Sequence, residues 1–146
     1  MKALAIGKKH DRNLKDAVEG YQQRLRAPFG VDWVLLPYST RQGAEARSEE
    51  SERLASHIKP TDFVILLDER GKQLTSPAFS EALSSHDNIV IVIGGAYGVD
   101  DSLRRRANLM MSLSAMVFPH QLVRLILIEQ IYRAQCIYHG HPYHHI

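Results

Sequence analysis

Asn88-Ile89-Val90-Ile91-Val92-Ile93-Gly94-Gly95-Ala96-Tyr97-Gly98 decides the fold: five β-branched residues, with no polar alternation, run straight into paired glycines. Such side chains lose rotamer freedom in a helix but pack well on a pleated surface. The run is also too short for an average helix. It therefore reads as a strand buried on both faces, as in the middle of a parallel sheet. Gly94, Gly95 and Gly98 give the chain conformations closed to other residues, which serves either a tight turn or the close approach of a ligand to the main chain. In open α/β sheets, ligands gather outside the carboxyl ends of the strands, so this turn is the first candidate for a site.

Upstream, Thr61 to Leu67 is a second nearly unbroken apolar run, ending at Asp68-Glu69-Arg70-Gly71-Lys72. Further back, Met1 to Gly7 and Val31 to Leu36 read as strands. Between them, Leu14, Val18, Tyr21 and Leu25 have the spacing of an amphipathic helix over about 11–26. Residues 39–57 are polar and predict an exposed helix that begins after a loop near Arg41-Gln42-Gly43. Ser76 and Pro77 resemble an N-cap followed by proline at the first helical position, with the helix running to about Ser85. Downstream, Asp100 to Ala107 can form a short helix carrying Arg104, Arg105 and Arg106. Asn108 to Leu113 is a fifth strand, Pro119 starts a last helix that runs to about Tyr138, and His139 to Ile146 is an irregular tail. Alternating strands and helices of this kind predict an α/β fold, a mostly parallel sheet flanked by helices. At 146 residues a single domain is expected.

The net charge of +2 permits a nucleic-acid partner without requiring one. One cysteine, Cys136, excludes an intramolecular disulfide and fits a reducing cytoplasm. No signal peptide and no apolar run long enough for a bilayer are visible, so a cytoplasmic protein without membrane contact is expected. The paired glycines lack the Gly-x-Gly-x-x-Gly spacing of dinucleotide binding, and no phosphate-loop motif is present, which counts against both of those classes. The tail holds His139, His141, His144 and His145, half of the eight histidines. Without a second cluster of Cys or acidic ligands a metal site is disfavoured, which leaves a solvated tail or one that folds over a pocket and supplies acid-base groups. The three arginines at 104–106 are equally readable as a solvated helix face or as phosphate contacts.

The last helix carries Leu122, Val123, Leu125, Ile126, Leu127, Ile128 and Ile131, an apolar surface wider than one core-facing stripe. A helix apolar most of the way round must bury more than one face. The chain is too short to surround it, so a homodimer through this helix is expected.

Several segments together resemble one family. They are Leu67-Asp68-x-x-Gly71, Ile93-Gly94-Gly95-Ala96-Tyr97-Gly98, Leu113-Ser114-Ala115-Met116-Val117-Phe118-Pro119-His120-Gln121-Leu122-Val123-Arg124, Glu129-Gln130-Ile131-Tyr132-Arg133-Ala134 and His141-Pro142-Tyr143-His144. In this order and over nearly the whole chain, they resemble the bacterial large-subunit rRNA pseudouridine N3-methyltransferases of the SPOUT class. The resemblance implies a C-terminal trefoil knot, an exception to the usual absence of knots. It also implies S-adenosyl-L-methionine as cofactor and 23S rRNA in the assembled ribosome, not DNA, as partner.

Carried onto this chain, the resemblance places the cofactor among Leu67 and Asp68, Gly94 and Gly95, and Leu113, Ser114, Ala115, Met116, Val117 and Phe118. Tyr143, His144 and His120 become the catalytic candidates, with Arg124, Glu129 and His145 toward the substrate. In the family the tail is thought to reach the partner's cofactor pocket. His145 stands where the family commonly has an arginine, and histidine is charged only part of the time near neutral pH. A phosphate grip there is weaker or passes to Arg124 or Lys8. A related knotted tRNA methyltransferase and a non-catalytic ribosome-associated module of the same fold are the alternative readings.

Overall fold

A computed structural model describes residues 1–145. Five strands, β1 (Lys2–Ile6), β2 (Asp32–Leu36), β3 (Phe63–Gln73), β4 (Ile89–Ile93) and β5 (Leu109–Ser112), form one sheet in the order β2-β1-β4-β3-β5. Every pairing is parallel. The α/β expectation holds, and the sheet is parallel throughout.

β4 occupies the centre, and all five of its residues are buried. Ile89, Ile91 and Ile93 point into one core with α1 (Lys15–Gln22), α3 (Ser76–Ser84) and α5 (His120–Tyr138), through Val18, Phe79, Leu83, Leu127, Ile128 and Ile131. Val90 and Val92 point the other way, joining Leu54 of α2 (Gly43–Ala55) and Leu103 of α4 (Asp101–Arg106). Helices on both faces account for the missing polar alternation, because neither set of side chains meets water.

Three elements depart from expectation for identifiable reasons. First, the opening helix is confined to Lys15–Gln22. Asp11 before it is held elsewhere, since its backbone N–H donates to Gln121 Oε1 at 2.9 Å and its own Oδ1 takes the Asn13 N–H. Second, the third helix is capped by Thr75, whose hydroxyl accepts from the Ala78 N–H, while the Ser76 hydroxyl donates to Gln130 Oε1 at 2.7 Å. Third, β3 continues past Leu67. Leu67 pairs with Met111, residues 68–71 bulge outward, and Lys72 and Gln73 return to pair with Met111 and Ser112. The return is possible because Gly71 lies on the Met111 backbone: a Cβ there would be 2.5 Å from Met111 N and C.

α5 starts at the carboxyl edge of the sheet and ends near its amino edge. His120 bonds Tyr38 just past β2, and Arg124 reaches the carbonyls of Ile6 and Gly7. At the other end Tyr138 packs on Phe29, next to the Gly30 carbonyl that takes the N-terminal ammonium. No helix among the described residues is long and apolar enough to cross a membrane.

Candidate active site

Leu67, Ile93 and Met111 lie side by side in register across β3, β4 and β5. At this level β4 ends, β3 bulges outward over 68–71 before returning, and β5 runs one residue further, to Ser112. Neighbouring strands are about 4.8 Å apart, so the Gly94 and Leu113 ends are separated by roughly 10 Å, with Asp68 between them. This is the place, outside the carboxyl ends of the strands, where α/β sheets offer ligands a crevice.

Each wall has a local cause. The turn after β4 closes with the Gly98 N–H donating to the Gly95 carbonyl at 3.0 Å, and Gly98 takes a φ of 72°. A Cβ on Gly94 would lie 2.9 Å from Val99 Cγ1, and one on Gly95 would run into the Glu50 carboxylate. Glycine at both positions thus suits the protein's own packing beneath the turn, and the turn leaves its outer side open. Residues 113–118 are folded by their serines: Ser112 Oγ donates to the Ser114 carbonyl, and Ser114 Oγ accepts the Met116 N–H at 3.0 Å. Leu113, Ser114 and Phe118 are half-buried, Ala115 is exposed, and Met116 and Val117 are 74% and 79% exposed. This loop presents uncovered apolar side chains beside the turn.

The Asp68 side chain is held by the protein itself. Its carboxylate accepts from Arg104 Nε at 2.9 Å and from the Arg70 N–H at 2.9 Å, with its side chain 6% exposed. These bonds tie the end of β3 to α4, so Asp68 shapes the crevice and has little carboxylate left for a ligand. Bonds within the protein account for two of the three arginines. Arg104 is committed to Asp68 and Asp101, and Arg106 to the carbonyls of Lys59 and Asp62. Of the three, Arg105 is left exposed.

A match to known proteins covers this whole arrangement: the family model described as predicted SPOUT methyltransferase matches residues 1–144. The chain belongs to the SPOUT methyltransferase family. Among curated relatives of this methyltransferase, Ribosomal RNA large subunit methyltransferase H of Streptococcus suis is 37% identical over 156 residues, spanning 99% of this chain and 98% of its own length. The proteins of the same name from Desulfitobacterium hafniense and Geobacter metallireducens are each 40% identical, with the same coverage.

In this SPOUT methyltransferase the remaining candidates fall into two groups. Tyr143, His144 and Glu129 come together on the lower half of α5. Tyr143 Oη donates to Glu129 Oε1 at 3.1 Å, Arg133 pairs with the same oxygen at 2.6 Å, and His144 Nδ1 is 3.3 Å from Arg133 Nη1. The Tyr143 ring lies 4.9 Å from Tyr132 and 4.8 Å from the Arg133 guanidinium. Burial, reinforced by bonds to Tyr21 and Glu129, pushes the Tyr143 phenol well above its ordinary pKa, so it stays a donor. Arg133, part of the Glu129-to-Ala134 motif though not among the expected site residues, is the hub of this cluster. His145 is exposed.

His120 and Arg124 form the second group, at the opposite end of the helix. Arg124 corrects an expectation. It is 0% exposed and donates to the carbonyls of Ile6, Gly7 and Lys9 at 2.7, 3.1 and 2.8 Å. A guanidinium so enclosed secures β1 to α5 and is not free to grip a phosphate. His120 Nε2 is 2.8 Å from Tyr38 Oη. Burial, then the Arg124 charge, holds His120 below the ordinary histidine pKa, and the same two causes act on His10.

Both rings thus favour the neutral form in the fold, whereas unfolded histidines take up protons near pH 6.5. The unfolded state binds more protons below that point, so stability falls as pH drops below about 6.5 toward the lowered folded-state values. The denaturation midpoint should decline over this window, and His120→Asn should make the decline shallower. An unchanged slope in the variant would assign the loss to other groups.

Proposed function

We propose that this methyltransferase transfers a methyl group from S-adenosyl-L-methionine to N3 of a pseudouridine in 23S rRNA, acting as a cytoplasmic homodimer on the assembled ribosome. The observation that carries the reading is the meeting, at one level of the sheet, of the β4 end, the β3 bulge and the β5 end, beside an apolar loop and a glycine turn, in a chain of this family. A cofactor there is served by backbone groups at Leu67, Gly94, Gly95 and Leu113 to Phe118, with Leu113, Met116 and Phe118 as apolar walls. The cofactor supplies an electrophilic methyl group on a sulfonium. The protein's work is to align the acceptor nitrogen in line with that methyl and to exclude water. We read the chain as one domain and, with the family, assign it the C-terminal trefoil knot.

As N3 attacks the methyl carbon, the carbon–sulfur bond breaks and the N3 proton must leave. The Glu129 carboxylate and His144 are the acceptors the tail cluster offers, with Arg133 and Tyr143 holding the carboxylate in place. We assign that cluster to the partner's crevice rather than to that of its own chain. Glu129 and Arg133 lie nine and thirteen residues down α5 from His120, about 14 and 20 Å along the axis. Leu122, Ile126, Glu129 and Arg133 follow one another at helical spacing, and all four are half-buried. This stripe is apolar near the crevice and carries the tail cluster farther down. Two copies related by a twofold axis would bury the stripe and bring each tail to the other crevice. A net charge of +2 gives little grip on naked RNA, which favours a shaped ribosomal docking site.

Purified protein incubated with methyl-labelled S-adenosylmethionine is expected to label ribosomes from a strain lacking its gene, and to label protein-free 23S rRNA or tRNA at least tenfold less. Preferential labelling of tRNA would overturn the substrate assignment.

A further inference from the structure

We infer that Glu50 is a counter-charge beneath the glycine turn, one that makes the crevice favour a cationic sulfonium over the neutral thioether left after methyl transfer. The inference rests on the S-adenosylmethionine reading above. Glu50 lies on α2, a helix expected to be exposed, yet it is 3% exposed. Its Oε1 accepts the Ser39 N–H at 3.0 Å, while Oε2 is buried with no hydrogen-bond partner. Among the described residues Glu50 is in no ion pair. The other fully enclosed charge nearby, Arg124, bonds main-chain carbonyls and His10 through Nη1 and Nη2, while its Nε, like Glu50 Oε2, has no partner, so the two charges are not hydrogen-bonded to each other. His120 feels the Glu50 charge but is biased toward neutrality by burial and Arg124.

A buried carboxylate with an unmatched oxygen is costly, since neither water nor a donor repays its desolvation. Its place explains what can offset that cost. Oε2 abuts Gly95 and would collide with any side chain there, while Ile6 Cγ2 closes the same spot. The oxygen is too enclosed to bond a ligand directly, so it acts through the turn by its field. In a partly buried site such a field is weakly screened over several ångströms. Donor and product differ at sulfur by one methyl and one positive charge. A fixed negative charge under the turn therefore discriminates between them and promotes product release.

The test is calorimetry on the intact homodimer with S-adenosylmethionine and S-adenosylhomocysteine, using wild-type protein and Glu50→Gln. Wild type should bind the sulfonium about tenfold more tightly than the thioether. In Glu50→Gln the sulfonium should lose about five- to tenfold, with the thioether within twofold of wild type. Equal weakening of both ligands, or no change in either, would show Glu50 to be packing support only and overturn the inference. If wild type binds neither ligand, the S-adenosylmethionine reading fails and takes this inference with it. Should Glu50→Gln not fold, sinefungin on wild type decides. Its ammonium replaces the sulfonium and should match S-adenosylmethionine, whereas affinity equal to that of the thioether for both cationic ligands contradicts the proposal.

Discussion

Gly71→Ala is expected to destabilise the protein by about 3 kcal/mol, at the upper end of what overpacking usually costs. The added methyl would lie 2.5 Å from Met111 N and C and 2.6 Å from its Cα. A flexible side chain could rotate away, but these are backbone atoms of a strand pinned by β3 on both sides of the bulge, at Leu67 and again at Lys72. Relaxation must therefore move β5 or the returning segment, and with it the loop that follows Ser112. Gly30→Ala is the control, because a Cβ there meets nothing within 4 Å. Urea denaturation should show a clearly lowered midpoint for the first variant and a near-normal one for the second. Equal midpoints would mean that the two passages of β3 over Met111 are looser than drawn.

The second large effect concerns the tail. His144→Ala is expected to lower turnover about a hundredfold or more, the usual scale for loss of a proton-transfer group. S-Adenosylmethionine affinity should stay within twofold, because the groups proposed to hold the cofactor lie on the glycine turn and the 113–118 loop and none lies on the tail. Subunit mixing then tests whether the tail works across the dimer. A His144→Ala chain combined with a Phe118→Glu chain, the latter checked to bind no cofactor, leaves one composite site intact in each mixed dimer. Random pairing should restore about a quarter of wild-type activity if the tail acts in the partner. No recovery would place the tail and crevice of one site in the same chain.

The legible parts of this fold are those where one side chain type answers one environment. Ile89 to Ile93 announced a strand buried on both faces because no polar residue interrupts it, and the sheet has helices on both faces. The extension of β3 was hidden because Asp68 to Gln73 looks like a polar loop; only its pairing with Met111 and Ser112 makes it strand. Glu50 was hidden for the same reason, since a glutamate on a polar helix reads as solvated until the Gly95 turn is packed on top of it. Arg124 carried the opposite error: its charge suggested RNA, whereas the free carbonyls of Ile6, Gly7 and Lys9 at the sheet edge claim it first. The site loops themselves were visible as motifs, but that Leu67, Ile93 and Met111 lie at one level follows only from strand order and register, which no local pattern records.

The central claim is the reaction, and nucleoside mass spectrometry of 23S rRNA tests it most directly. Digested rRNA from a strain deleted for this gene should lack 3-methylpseudouridine and show the unmethylated pseudouridine in its place, with the methylated form restored by the wild-type gene and not by His144→Ala. An unchanged level of 3-methylpseudouridine in the deletion strain would contradict the account.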